Sequence, residues 1–266
     1  MAQKRNRRRK KPILTPNQPL VKYGVITFNS IGYGNPTINQ KLTMEIGGKL
    51  DDTLEEFKKK PFPENESDET LSELKYIKTK IRRLDNRKTF EECVAIDTDL
   101  PRYLEEVCAV VGINGVKELV RKVERDFLDS FVFKLKYHYN RARPHQLSFY
   151  YINQEELNPL KSCQAMSPSY PSGHTLESYV IIDILEKHFP QHKELFDTVK
   201  RRVAISRIII GVHYPSDNDF STEIAETIKQ NPYVVENYYT PQWEEAIKQE
   251  IKQEIKNENA PEPPTE

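Results

Sequence analysis

The strongest periodic pattern in the chain runs from residue 116 to residue 135. Val116, Val120, Val123, Phe127, Phe131 and Leu135 recur at steps of three and four, which predicts a helix with one buried stripe. Asn114 stands ahead of it as a candidate N-cap, and the helix should stop before Pro144. A second helix is predicted from Gly173. Its Leu176, Tyr179, Val180, Ile182 and Leu185 are too apolar for a surface element, so it should be central. A third spans about residues 192–210, with Leu195, Phe196, Val199, Val203, Ile205 and Ile209 inward and Gly211 as its stop. A fourth begins after Pro215–Ser216, with Asp217 and Asp219 in its first turn.

Outside this block the pattern is weaker. Residues 70–84 read as a charged helix, and residues 101–111 as a short one ended near Gly112. Residues 58–70 have loop composition, and residues 21–50 alternate weakly, enough for a small hairpin. Around residues 241–257, Ile247, Ile251 and Ile255 mark an "IKQE" repeat. Steps of four drift around a helix, so this is a peripheral helix or partner contact rather than a long coiled coil. Strand signals are few, and the expected class is all-α. The expected organisation is a basic, partly disordered extension over 1–65, a helical domain over 66–235, and a C-terminal helix with an acidic, Pro-rich tail over 236–266.

Composition narrows the function only slightly. Hydrophobic residues make up 37% and charged residues 30% of the 266, a polar balance that assigns part of the chain to solvated tails. Lys plus Arg equal Asp plus Glu at 40 each, so net charge says nothing about a partner. Residues 4–11, "KRNRRRKK", concentrate seven cations. They could meet nucleic acid or an anionic membrane surface, or merely solubilise the chain; without interleaved aromatics they suggest no base readout. Cys93, Cys108 and Cys163 are odd in number and form no CxxC, which indicates neither a disulfide framework nor a zinc site. No apolar run approaches the roughly 18 residues of a membrane span, and the basic N-terminus leads into prolines instead of a signal core. A soluble, cytoplasmic protein is expected.

Three segments carry candidate chemistry. In "KYHYNRARP", Lys136 and Arg143 lie seven apart, two helical turns, so both cations can leave one face; a solvated basic helix end would look the same. In "SYPSGHT", a helix N-terminus with unpaired N–H groups meets Ser172, with its hydroxyl, and Gly173, with no side chain to block approach. That is either a cradle for a phosphate-like anion with His174 beside it, or an ordinary N-cap with a surface histidine. In "SRIIIGVHYPSD", Arg207 sits in an apolar run where an unpaired charge is costly. It should face an anion in a site or pair with a carboxylate. His213 follows in the break between helices, and Asp217, four residues on, can fix its tautomer.

Together the pattern Lys-x6-Arg-Pro, Pro-Ser-Gly-His and Ser-Arg-x5-His-x3-Asp resembles the type 2 phosphatidic acid phosphatase (PAP2)/vanadium haloperoxidase superfamily. It is carried here by Lys136, Arg143, Pro144, Pro171, Ser172, Gly173, His174, Ser206, Arg207, His213 and Asp217. The wording of the motifs looks most like the bacterial class A acid phosphatases, and the resemblance covers roughly residues 115–230. It implies an all-α helical bundle with the site at its centre. Carried over, Lys136, Arg143, Ser172, Gly173 and Arg207 bind phosphate. His213 is the nucleophile forming a phosphohistidine, His174 the general acid–base and Asp217 the partner of His213.

The resulting expectation is a metal-independent phosphatase acting on small phosphomonoesters. The alternative within the resemblance is a haloperoxidase, with vanadate as cofactor and His213 as its axial ligand. A metal held by His174, His213 and Asp217 is disfavoured, because three converging cations would repel it. His138, His145, His188 and His192 fall outside the motifs; His138, His145 and Arg141 could line the pocket mouth but are expected at the surface. Trp243 and residues 237–239 should pack the last helix onto the core.

Overall fold

The computed structural model describes residues 28–151, 157 and 159–240. The basic arm, Trp243 and the repeat at 241–257 lie outside the described residues. Twelve α-helices follow in order among the described residues: α1 (Ile38–Glu45), α2 (Asp51–Phe57), α3 (Asp68–Ile81), α4 (Arg87–Thr98), α5 (Leu100–Ala109), α6 (Val116–Val123), α7 (Asp129–Tyr139), α8 (Pro144–Tyr151), α9 (Gly173–His188), α10 (Lys193–Ile209), α11 (Pro215–Ile228) and α12 (Pro232–Tyr238). The class is all-α. The described residues contain no strand, only an isolated antiparallel bridge between Gly32 and Arg141. The hairpin expected over 21–50 is therefore not formed over 28–50, where the second half of the segment is helical. Thr37 and Gln40 explain this: they cap α1 reciprocally, each side chain accepting from the other's backbone N–H.

The centre of the bundle is α9, which packs against α10, α11 and α6. Leu176, Val180, Ile181, Ile182, Ile184 and Leu185 are all buried, so the helix is enclosed on nearly every side, as its composition requires. The core also takes in Leu50, Leu54 and Phe57, so residues 50–57 pack with the body that the sequence reading begins at residue 66. Val234 and Tyr238 of α12 close its other end.

The stripe from Val116 to Leu135 is buried throughout, but not on one continuous α-helix. Residues Glu124–Leu128 form a π-helical turn between α6 and α7. Repeated steps of four would rotate the stripe by roughly 40° each in an α-helix of 3.6 residues per turn. A π turn absorbs an extra residue and keeps the stripe facing inward. The helix starts one residue later than expected. Gly115, at φ 82°, occupies the cap position, and Glu105 of α5 accepts from the N–H groups of Gly115 and Lys117. Asn114 has no cap role because a carboxylate from a neighbouring helix already satisfies those donors.

Candidate active site

The site forms where three chain breaks meet. α7 ends at Asn140, in the left-handed region at φ 48°, and delivers Lys136 in its last turn. α9 begins at Gly173 with Ser172 as its cap residue. α10 ends in a Schellman turn: the N–H of Gly211 bonds to Ile208 O, and that of Val212 to Arg207 O. Gly211 holds φ +73°, and a Cβ there would fall 1.4 Å from Leu157 O, so no other residue fits. This turn folds His213 back over Arg207, its N–H 3.4 Å from Arg207 O.

A pocket of about 280 Å³ opens at this junction and is lined by Lys136, Arg143, Gly173, His174, Arg207 and His213, among others. Six of the eight residues singled out from the sequence thus share one cavity wall. Asp217 stands behind His213, fully enclosed. Ser172 is not on the wall. Its buried hydroxyl lies 2.9 Å from Thr175 Oγ1, which in turn donates to Asn218 Oδ1. It makes no cap hydrogen bond. Gly173 also differs from the expectation. A Cβ there would meet Lys136 Cε at 3.7 Å and Val132 Cγ1 at 3.9 Å, ordinary contacts. The glycine keeps pocket space open; the packing of the chain itself does not demand it.

Each cation is pinned by part of its donor set. Lys136 Nζ donates to the carbonyls of Pro168 and Pro171, both at 2.7 Å, bracing α7 against the segment before α9. An ammonium has three donors, so one remains. Arg143 donates to Ser167 O and Val212 O, each at 2.8 Å. Arg207 satisfies both alternatives posed by the sequence. Its Nη2 pairs with Asp97 Oδ1 at 2.8 Å, while Nε and Nη1, buried, have no partner. Asp97, on α4, is held in turn by Ser162 Oγ. Nothing in the sequence motifs pointed to Asp97, which lies 110 residues from Arg207.

The histidine pair is defined by its neighbours. His213 Nδ1 lies 3.0 Å from Asp217 Oδ2, and Nε2 lies 3.0 Å from Arg143 Nη1. Arginine can only donate, so Nε2 accepts and the proton sits on Nδ1, facing the carboxylate. Asp217 accepts also from Arg141 Nη1, from Tyr214 N–H and from Ser169 Oγ. Burial opposes its charge, but Arg141 and the contact from His213 hold its carboxyl well below the usual range. Burial first, and then Arg143, pushes His213 well below the ordinary histidine value. His174, half-buried, is pushed well down by burial, then by Arg207, His213, Lys136 and Arg143. Burial and Arg207 bring even Arg143 down to about 10. The pocket is thus crowded with positive charge that an anion would relieve.

Arg141 corrects the sequence reading. Expected at the surface, it is 1% exposed, bridging Asp217 and Glu73 while its guanidinium lies 3.9 Å from the Tyr214 ring centroid. The left-handed turn at Asn140 ends α7 and sends Arg141 and Arg143 inward together. His138 is exposed as expected, with Nε2 2.9 Å from Lys58 O. His145, His188 and His192 are half-buried. Among the described residues no group of three or more His, Cys, Asp or Glu side chains is arranged to hold a metal ion, and no helix is long and apolar enough to cross a membrane.

A family model described as the PAP2 superfamily matches residues 127–228. This interval runs from the π turn to the end of α11 and contains every motif residue. The helical segment that builds the pocket therefore matches the PAP2 superfamily, as the three motifs indicated. The match supports an enzyme of the phosphatase or haloperoxidase type. No curated protein matches the chain.

Proposed function

We propose that the protein is a metal-independent phosphatase that hydrolyses phosphomonoesters through a phosphohistidine on His213. The observation that carries this reading is the protonation pattern of His213. Its proton is committed to Asp217, and its Nε2, which takes an N–H from Arg143, belongs to a cavity wall shared with His174 and Arg207; a substrate oxygen that draws Arg143 away would free the Nε2 lone pair for attack.

The chemistry follows from these groups. Lys136, Arg143 and Arg207 would take the non-bridging oxygens of the substrate, and their surplus positive charge suits the charge that gathers on those oxygens during transfer. His213 Nε2 attacks phosphorus as the P–O ester bond breaks, and His174 delivers its proton to the leaving oxygen. Asp217 stabilises the charge that appears on the His213 ring. Water then attacks phosphorus, His174 takes its proton, and the P–N bond breaks to release phosphate. A bound phosphate dianion offsets the cations that disfavour a proton on His174. The substrate thus brings the charge that lets His174 carry the proton it must donate.

The expected result is hydrolysis of p-nitrophenyl phosphate that survives EDTA, is blocked by vanadate and is lost in His213→Ala. Acid quench during turnover should trap an acid-labile phosphoryl group on the wild-type protein. Full activity in His213→Ala would overturn the reading.

A further inference from the structure

The pocket has a second end, and it is acidic. Asp129, Val132, Phe133 and Lys136 line the cavity from one face of α7. Asp129 and Lys136 are seven residues apart, about 10 Å along the axis. On α9, Glu177 stands one turn beyond His174 on the same wall. Glu124, which opens the π turn between α6 and α7, lines the same wall beside Glu177. Moving away from Lys136 and Gly173 along both helices, the wall thus changes from cations to carboxyls.

Asp129 is exposed to solvent, whereas Glu124 and Glu177 are half-buried and poorly provided for by the protein. Burial, with Glu124 and Asp129 nearby, holds Glu177 well above the usual carboxyl range, with only Arg207 opposing. Burial and Asp129 push Glu124 up to about 7, with Glu177, Arg121 and Arg125 opposing. Glu177 Oε1 is buried and receives no hydrogen bond from an N–H or O–H donor. An independent feature shows that this cavity is built for a ligand. Arg207, 1% exposed, presents two unpartnered nitrogens to it. A ligand whose anionic group meets Arg207 in about 280 Å³ has the rest of its structure beside the carboxyls.

We propose that the acidic end selects the leaving group, so that the preferred substrates are phosphomonoesters of short amino alcohols, with the ammonium seated among Glu124, Asp129 and Glu177. This rests on the phosphatase reading above. An ammonium has three donors and a positive charge, and beside these carboxyls it would favour their ionised form. A neutral hydroxyl could donate one hydrogen bond to Glu177 Oε1 but brings no charge to oppose the carboxyls.

The test compares 2-aminoethyl phosphate with 2-hydroxyethyl phosphate, which differ only in an ammonium for a hydroxyl. Wild-type kcat/KM at neutral pH should favour the amine by about tenfold or more, the scale of one charge-assisted contact. Glu177→Gln and, independently, Glu124→Gln should bring that ratio close to one. A wild type without preference, or a preference that persists in both variants, overturns the proposal. Calorimetry with the phosphonates of the same two alcohols needs no turnover. In buffers of different ionisation enthalpy, the aminoethyl compound should bind tighter and release a proton, and Glu177→Gln should abolish the release. Equal binding of the two phosphonates overturns the proposal too. If no ester is hydrolysed but the amine selectivity of binding stands, the phosphatase reading fails and this one does not.

Discussion

Arg141 Nη1 donates to Asp217 Oδ1 at 2.7 Å, and both side chains are sealed from solvent. Asp217 uses its other oxygen for His213 Nδ1, so the carboxylate is held from one side while it orients the imidazole on the other. Glu73 closes the network by accepting from Arg141 Nη2 at 3.1 Å and from Ser216 N–H and Oγ. The network thus joins α3, the turn after α7 and the first turn of α11.

Removing Arg141 leaves Asp217 buried with one cation fewer. Loss of one partner of a buried ion pair costs about 3–5 kcal/mol. Arg141→Ala should lose stability on that scale in urea unfolding and should lose activity with it. Arg141→Lys should recover part of the stability, since a lysine can reach one carboxylate but cannot reproduce the fork. Wild-type stability in the alanine variant would show that the pair contributes nothing.

Asp97 aims Arg207 without lying in any motif. In Asp97→Asn the Arg207 guanidinium loses its charged partner and its fixed direction. Misplacing one positioning group can cost about 100-fold. A loss of roughly 10–100-fold in kcat/KM for p-nitrophenyl phosphate is therefore expected, with weaker vanadate inhibition. Unchanged vanadate affinity would separate Asp97 from anion binding.

Gly173→Ala should separate folding from function. The added methyl meets only ordinary contacts, and alanine is a better helix former by roughly 0.8–1 kcal/mol in a helix interior, less at its first residue. Stability should hold or rise slightly. Activity should fall, because the methyl stands over Lys136 in space the anion needs. Equal activity would mean that the anion sits elsewhere.

Acid should destabilise the protein in two stages. His174 and His213 have folded values below the ordinary one, so the unfolded chain binds more protons. Their contribution is complete above the unfolded value near 6.5 and falls as the pH drops below it, by about 1.4 kcal/mol per pH unit for each histidine still neutral in the fold. Asp217, also depressed, contributes above the unfolded carboxyl value and loses that contribution only at lower pH, through its folded value. Thermal unfolding between pH 7 and 5 should therefore show a falling midpoint, shallower in His213→Gln, and vanadate should raise the midpoint by supplying the missing anion. The rate profile should be bell-shaped, with its maximum on the acid side of neutrality. A flat midpoint over this range would contradict buried, neutral histidines.

Much of this was legible in the chain. The stripes on α6, α7, α9 and α10 follow from helical periodicity, and the stop at Gly211 from backbone freedom. These are local properties, set by residues within a few positions of each other. Lys136, Arg143, Gly173, His174, Arg207, His213 and Asp217 were also found, because chain breaks between packed helices bring them together and those breaks carry their own signals. The π turn was hidden because steps of four read as an ordinary helix until burial must be kept on one side. Arg141 was misread because a cation in a charge run looks the same whether it meets water or a carboxylate 76 residues away.

What the chain alone determined is thus the class, the central helix and most of the groups that share the pocket. The tertiary structure decided how those groups are held. Asp97 for Arg207, Arg141 for Asp217, the turning of Ser172 away from the pocket, and the carboxyls facing the cations all depend on contacts between distant segments. A buried charge is stable only beside a partner of opposite sign, and pairing of that kind leaves no periodic trace in sequence.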